Sequence, residues 1–336
     1  MKSTAERAYV YAKASGIIGK SYVGPRIRRL QDIHRLSDLE RLLFPDSYED
    51  VPEQNLLIKL EKRIIARTTS QIQLLLKTQR TIPRFIELLI RSYEYGDIKL
   101  FISAIMEKEP IPPTHTDLGR FSTVHFQAYP DLKAMVAQTD FEWILAKMPK
   151  NQSDNMSLQA ELDQHYYIDL WNELSHITDP DIRYIKDIIA EEIKLKNILW
   201  ALRLAFYYHF DTTNIEKYLI KVQDNKGSLV TSALACIDLP VDHYASWTSF
   251  EYLSLLNPEE PGTLWRLNVP YVQRKAALLL YKKVRSYFRR SPFSLNTTAC
   301  FIKLKQFEED LLISLAEGIS LGMSGQEVLA MLGVLS

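Results

Sequence analysis

The chain has 336 residues, with 11 glycines, 15 prolines and a formal net charge of zero from 41 basic and 41 acidic side chains. This length can bury two or three separate cores, which excludes a mini-protein, and the low glycine and proline content favours a mainly helical fold over a sheet-rich one. Only Cys236 and Cys300 are present, which argues against a disulfide framework and a cysteine metal site.

The spacing of apolar residues predicts a series of helices. Two helix starts have the spacing of a capping box, in which two side chains each bind the other's backbone N–H; they are Ser37 with Glu40 and Thr213 with Glu216. At a third start, Asp179 supplies a side-chain acceptor and Pro180 suits the first turn. The predicted helices span residues 5–23, 37–44, 54–78, 81–107, 157–176, 180–208, 213–222, 270–290 and 296–321.

Two proline-rich stretches, residues 109–119 and 257–270, divide the chain because repeated proline removes backbone donors and disfavours helix. They place boundaries near residue 115 and between 225 and 265. The predicted domains are three helical bundles of ordinary domain size, residues 1–115, 116–225 and 226–336. One acidic-then-apolar segment in each domain suggests an internal repeat, with Leu100, Asn197 and Asp310 in equivalent positions. Any two amphipathic helices share that pattern, so repeated and unrelated segments both remain open.

Charge is distributed unevenly along the sequence. Residues 261–307 hold ten basic and no acidic side chains, whereas residues 151–193 carry a net charge of −8. Within the basic stretch, residues 271–290 have the pattern of an amphipathic helix, and we expect its cations to face acidic loops of a partner protein or lipid head groups. The expected partner-facing residues are Lys282, Lys283, Arg285, Arg289 and Arg290.

Two other interpretations of the basic stretch are open. In the first, the helix packs one face and exposes a solvated cationic face, with long side chains reaching outward to water. In the second, residues 266–305 bind nucleic acid or an anionic membrane, because basic and aromatic residues alternate there as they do in such proteins.

The stretch ASGIIGKS, residues 14–21, imitates a phosphate-binding loop, with Ala14 where the first glycine is expected. Such a loop follows a buried strand, but ERAYVYAK before it has helical spacing, so an ATPase that uses Lys20 is a minor alternative. The histidines lack the spacing of a metal site, and no nucleophile signature is present. We therefore expect no catalytic residue, metal or cofactor. We also expect no membrane span, since no uncharged apolar run reaches about 18 residues.

The predicted helix over residues 180–208 carries polar residues inside a strongly apolar run. Glu192 interrupts an apolar stripe, and Arg203 lies on nearly the same face about 16 Å further along the helix, too far away to pair with it. A buried ion without a partner costs several kcal/mol. We therefore expect Glu192 and Arg203 to find partners on neighbouring elements and, with Asn197, to fix the register of a central helix.

Several motifs together resemble the C subunit of V-type and A-type rotary ATPases, the counterpart of the d subunit in the eukaryotic V-ATPase. The resemblance is carried by AYVYAKASGIIGKSYVGPRIRRLQDIHRLSDLERLLFP near the N-terminus, LDQHYYIDLW at 162–171, EEIKLKNILWALRL at 191–204 and residues 289–324. These motifs occur in the family's order and at compatible spacing. The sequence departs from the family pattern at Leu100, where asparagine is usual, and at Lys194, where aspartate is usual.

The resemblance implies an all-α fold of three similar helical bundles arranged as a funnel with pseudo-threefold symmetry. It implies a non-catalytic role as the socket between the D and F subunits of the central stalk and the membrane proteolipid ring, in a machine that couples proton or sodium transport to ATP hydrolysis or synthesis. The expected location is peripheral, on the cytoplasmic face of the membrane. The stator membrane subunit is a further possible partner, and nucleic acid is not expected.

Overall fold

The structure, a computed structural model, describes residues 4–47, 53–178, 182–224, 227–260 and 262–334. In these residues it is mostly helical, and its one sheet is an antiparallel pair of two-residue strands, β1 (Gln223–Asp224) and β2 (Gly227–Ser228). The prediction of an all-α fold is confirmed.

Helices account for nearly all the regular structure. The α-helices are α1 (Thr4–Ile18), α2 (Leu36–Leu43), α3 (Glu53–Leu76), α4 (Arg84–Glu107), α5 (Leu132–Val136), α6 (Gln152–Ser175), α7 (Ile182–Phe206), α8 (Thr212–Ile215), α9 (Thr231–Ile237), α10 (Val269–Arg290), α11 (Leu295–Ser320) and α12 (Gly325–Met331). Short 3₁₀ turns lie between them, at Pro25–Leu30, Pro45–Ser47, Gly119–Phe121, Phe126–Ala128, Glu142–Lys147, Tyr244–Trp247 and Leu253–Leu255.

The chain divides into two compact units, and the first contains both ends of the sequence, residues 1–82 with 274–336. Its central helix is α11, which packs against α1, α2, α3 and α12. Helix α11 is buried over most of its circumference, where apolar side chains are joined by buried polar ones such as Lys305 and Glu308. Its Leu312 and Leu315 share one core with Leu60 and Ile64 of α3, and burying each such side chain stabilises the fold by about 1.5–3 kcal/mol.

The second unit comprises residues 83–273. Helices α4, α6, α7 and α9 pack there in chain order, each against the next. Aromatic rings fill the space beside α4 and α6: the Tyr95 ring meets Phe141 at a centroid distance of 4.7 Å and Tyr166 at 5.2 Å. The predicted boundaries at 115 and 225 both fall inside this unit. The three repeats 1–115, 116–225 and 226–336 and their funnel arrangement stay predictions.

The long predicted helices are present within a few residues, but two predicted ends are wrong for one physical reason. Helix α1 ends at Ile18 instead of continuing to 23, and α8 ends at Ile215 instead of 222. In both places the chain leaves the helix to form a non-helical segment whose backbone binds a buried side chain of another helix, Glu308 of α11 in the first case and Asn197 of α7 in the second. Apolar spacing alone does not reveal such a tertiary contact.

Two predicted caps are also wrong. Helix α2 has Arg35 at its N-cap without a side-chain cap, and Glu40 is instead buried and paired with Arg63 of α3. Helix α8 is capped by Asp211, whose carboxylate accepts from the Asn214 N–H at 2.8 Å, and not by Thr213. The predicted start at Asp179 and Pro180 lies outside the described residues.

Four helices or helix starts were missed. The first is α5, where the Asp131 side chain accepts from the Ala134 N–H. Helix α6 begins before residue 157, because the Asn151 side chain accepts from the Asp154 N–H. Helix α12 has a complete capping box between Ser324 and Glu327. Helix α9 was not predicted, and no side-chain cap marks its start.

Candidate functional site

Asn197 of α7 is completely buried and binds backbone groups outside its helix. Its Nδ2 donates to the carbonyl oxygens of Ile220 at 3.0 Å and Leu229 at 3.3 Å, and its Oδ1 accepts from the Ile220 N–H at 2.8 Å. The amide side chain thus meets the backbone of Ile220 as a neighbouring β-strand would. This contact holds the non-helical segment after α8 against α7.

The other two predicted polar residues of α7, Glu192 and Arg203, are only partly buried. Glu192 Oε1 accepts from the Tyr167 hydroxyl of α6 at 2.8 Å, and Arg203 donates to the Gln273 side chain of α10. Burial, and then the charge of Glu192, raise the pKa of Tyr167 well above its ordinary value, so the phenol keeps its proton and donates. The prediction that both residues have partners on neighbouring helices is confirmed, whereas their role in fixing register stays a proposal.

A second buried acceptor, which the sequence analysis missed, is Glu94 of α4. Its carboxylate accepts from the backbone N–H groups of Thr123 at 2.5 Å and Val124 at 2.8 Å, and from the Thr123 hydroxyl at 3.0 Å. Arg91, one turn earlier, donates to Glu94 at 2.9 Å and to Asp140 at 2.8 Å. The hydrogen bond from Arg91 lowers the pKa of Asp140, so the Asp140 carboxylate stays ionised and paired with Arg91.

A third buried acceptor is Glu308 of α11. It accepts from the Tyr22 N–H and from the Ser21 hydroxyl, each at 2.8 Å, and it pairs with Lys305 one turn earlier. Burial acts to raise the pKa of Glu308, but the charge of Lys305 and the hydrogen bonds outweigh it and lower that pKa. Lys305 is 1% exposed, so it does not belong to the exposed cationic surface that its sequence neighbours suggested.

The three buried anchors, Glu94, Asn197 and Glu308, share one pattern. Each lies on a long helix and binds the N–H of a non-helical segment. Each also follows a basic residue three positions earlier in the sequence, namely Arg91 before Glu94, Lys194 before Asn197 and Lys305 before Glu308. The suggested equivalence of Leu100, Asn197 and Asp310 is not matched in burial, because Leu100 and Asp310 are exposed. A search for a basic residue followed at the third position by Asn or Glu would have found Glu94 and Glu308.

The phosphate-loop imitation has a different structure from a phosphate loop. Its first residues are the end of α1, with Ala14 fully buried, and no strand precedes them in residues 4–13. Ser21, which would bind magnesium in a true loop, donates to Glu308 instead. The geometry therefore gives no support to a nucleotide site at Lys20.

The predicted basic surface lies on α10. Lys282, Arg289 and Arg290 are exposed, Lys283 and Arg285 are partly exposed, and Val284 and Phe288 are buried on the opposite side. Within the described part of the chain, Lys282, Arg289 and Arg290 make no ion pair with a carboxylate. Their charge is thus available to a partner.

Four of the five predicted cations line a groove in the first unit; they are Lys282, Arg285, Arg289 and Arg290. Its opposite wall is the segment Val23 to Ile27, and its volume is about 580 Å³. A second cleft of about 270 Å³ shares Val23, Arg285 and Arg289 with it. The two clefts adjoin each other along α10, and Lys283 lines neither of them.

Among the described residues, no three His, Cys, Asp or Glu side chains are grouped so that they could hold a metal ion. None of the helices in that part of the chain is both long and apolar enough to cross a membrane.

The chain is similar to a known family and to a bacterial protein. A family model described as "ATP synthase (C/AC39) subunit" matches residues 11–331. A protein of Treponema pallidum (strain Nichols) that carries the name "Uncharacterized protein" is 25% identical over 317 residues, which is 94% of this chain and 92% of that protein. The matched range includes all three anchors and the four cations that line the groove.

Proposed function

The chain belongs to the ATP synthase (C/AC39) subunit family, and we propose that it is the non-catalytic socket of a V-type or A-type rotary ATPase, coupling the rotating shaft to the membrane proteolipid ring. The observation that carries the proposal is the family match over residues 11–331. Membership makes the chain an accessory part of the complex and confirms its resemblance to the rotary ATPase C subunit. Its partners in the proposed role are the D and F stalk subunits on one side and the ring on the other, at the cytoplasmic face of the membrane.

The three anchors suit a part that transmits torque. Such a part must keep its helices in register under load, and buried polar contacts with a single satisfied geometry resist sliding more than apolar contacts alone. Asn197, Glu94 and Glu308 each join a long helix to a non-helical segment through backbone hydrogen bonds. In this proposal they make the units stiff, and Glu192 and Arg203 add contacts from α7 to its neighbours.

The test is purification of the tagged chain from native membranes after mild solubilisation, followed by mass spectrometry of the proteins that accompany it. We expect a small proteolipid together with the D and F stalk subunits. Recovery of nucleic acid or unrelated proteins without these subunits would contradict the proposal. That result would favour the alternative in which residues 266–305 bind an anionic polymer or membrane.

A further inference from the structure

We propose that the groove between α10 and residues 23–27 binds an acidic segment of a partner protein, one in which carboxylates are interspersed with apolar side chains. The proposal rests on the function proposed above, because it requires that the chain work inside a protein assembly. It goes beyond that function by naming the site and the chemistry of the segment that enters it.

The charge of the groove is of one sign. Lys282, Arg285 and Arg289 lie on the lining side of α10, and no Asp or Glu lines either cleft in the part of the chain that the structure describes. Arg285 lies over the Tyr281 ring, with 6.0 Å between its guanidinium carbon and the ring centroid. An unneutralised row of cations at a concave surface attracts an anionic partner and suppresses a cationic one.

The spacing of the row suits a polypeptide. From Lys282 to Arg290 the helix rises about 12 Å, with a cation at intervals of three, four and one residues. Side chains on one face of an extended segment recur about every 6.6 Å, so two or three carboxylates of such a segment can each meet a cation. A single phosphate could reach only one or two of the cations, and would leave most of the groove empty.

Part of the lining of the groove is apolar. Ile27, Leu278 and Phe307 line it, and the Phe307 ring stacks on Tyr281 at a centroid distance of 4.4 Å. A purely acidic segment would leave this surface in contact with water, whereas apolar side chains between the carboxylates would cover it. Concave apolar lining also favours an inserted segment over a membrane surface, which is flat on the scale of the groove.

The wall opposite α10 is held in place before any ligand binds. The Tyr281 hydroxyl donates to the Val23 carbonyl, and Glu308 holds the N–H of Tyr22 at 2.8 Å. The anchor on α11 thus positions the segment that forms the wall. A preformed groove loses little conformational entropy on binding, which favours affinity for a short segment.

The experiment selects twelve-residue peptides from a random phage library on the full chain and measures binding of the synthesised winners by fluorescence anisotropy. We expect enrichment of Asp and Glu together with Leu, Ile or Phe, and affinity that falls as salt rises. The double variant R285E/R289E should weaken binding at least about tenfold. The matched control R35E/K77E, which reverses two exposed cations of the same unit outside the groove, should bind as the unaltered chain does.

Three results would overturn the proposal: selected peptides without acidic enrichment, no selected peptide that binds, or equal binding by R285E/R289E. Should that variant unfold, K282A/R289A replaces it, because both of these side chains are exposed. Pyrophosphate and vesicles containing phosphatidylglycerol are added as competitors. If either displaces the peptide at a concentration near the peptide's own Kd, the groove is a phosphate or lipid site instead.

The two proposals fail separately. If the unaltered chain recovers the stalk subunits and proteolipid from membranes but the peptide results are negative, the socket function stands and the groove proposal falls. If acidic peptides bind in the groove but the membrane purification yields no ATPase subunit, the socket function falls and the groove remains an acidic-peptide site.

Discussion

At the scale of single residues, Asn197 and Arg203 differ in how much stability depends on them. Asn197 to Ala removes three hydrogen bonds to the buried backbone of Ile220 and Leu229, and we expect a loss of about 3 kcal/mol in the free energy of unfolding. Arg203 to Met removes a partly exposed contact with Gln273 and should cost about 1 kcal/mol or less. Urea denaturation of both variants checks this order.

The same pair of variants tests the register hypothesis for Arg203. If Arg203 helps to fix α7, its replacement by Met should weaken assembly with the ATPase subunits even where stability changes little. Unchanged stability together with unchanged assembly would show that Arg203 has no part in fixing the register of α7.

Asp97 of α4 gives the fold a pH dependence. Burial raises its pKa to about 6, although Thr116 donates two hydrogen bonds to its carboxylate. Because the folded-state pKa is above the unfolded value, the folded chain takes up a proton more readily. Asp97 therefore contributes stability that is fully present below the unfolded pKa and is lost as pH rises through about 6.

The contribution of Asp97 to the free energy of unfolding that is lost with rising pH is on the order of 2 kcal/mol. We predict that Asp97→Asn, which cannot ionise, removes this pH dependence. The free energy of unfolding of the variant, relative to that of the unaltered chain, should therefore be higher at pH 7 than at pH 5. Urea denaturation at the two pH values measures the difference. Asp154 to Asn, which changes an exposed carboxylate of α6, is the control for general effects of charge. A difference between the Asp97 variant and the unaltered chain that does not change with pH would contradict the assignment.

At the scale of elements, α12 depends on glycine where it approaches the chain before α2. A Cβ on Gly325 would collide with the Leu30 carbonyl oxygen, and the Gly325 N–H donates to the Ile33 carbonyl at 2.7 Å. We predict that Gly325 to Ala costs several kcal/mol, since backbone must move to admit the methyl group. Thermal unfolding measures the loss.

The control for this variant is Gly16 to Ala, within α1. A Cβ there meets no atom within 4 Å, and alanine in a helix is favoured over glycine by about 1 kcal/mol. Gly16 to Ala should therefore leave stability unchanged or raise it. If both substitutions behave alike, the close approach at Gly325 does not determine the packing of α12.

The positions of the long helices could be predicted from the sequence, but some of their ends could not. The long helices follow from local apolar spacing, so α3, α10 and α11 were predicted within a few residues. The ends of α1 and α8 were wrong because Glu308 and Asn197 bind the backbone beyond them. The same two contacts are part of the candidate site. Nothing in the local sequence around Glu308 identifies its partner, and only the fold shows that this partner is Tyr22, far away in sequence.

Only one side of the basic groove could be predicted from the sequence, because the other side depends on a tertiary contact. The cations of α10 are visible in the sequence, but the opposite wall comes from residues 23–27, more than two hundred positions earlier. Local pattern identifies which residues carry charge. It does not identify the segment that turns a basic helix face into a groove.

At the scale of the whole molecule, the first unit combines residues 1–82 with residues 274–336. Fragments of the chain should therefore differ in whether they fold alone. In residues 1–82, α3 exposes the apolar side of Leu60 and Ile64 unless α11 covers it, and Tyr22 loses the carboxylate of Glu308. Residues 83–273 contain the packed series α4, α6, α7 and α9 with its own core. We therefore expect the fragment 83–273 to fold alone and the fragment 1–82 to stay largely unfolded.

Adding fragment 274–336 to fragment 1–82 should restore helical structure with a concentration dependence typical of two chains that fold as they bind. Circular dichroism follows the gain, and the Leu60 to Asp variant of the first fragment, which places a charge in the shared core, should abolish it. A folded fragment 1–82 would show that α11 does not complete its core. The socket function proposed above would benefit from this arrangement, because α1 and α12 cannot detach without opening the core around α11.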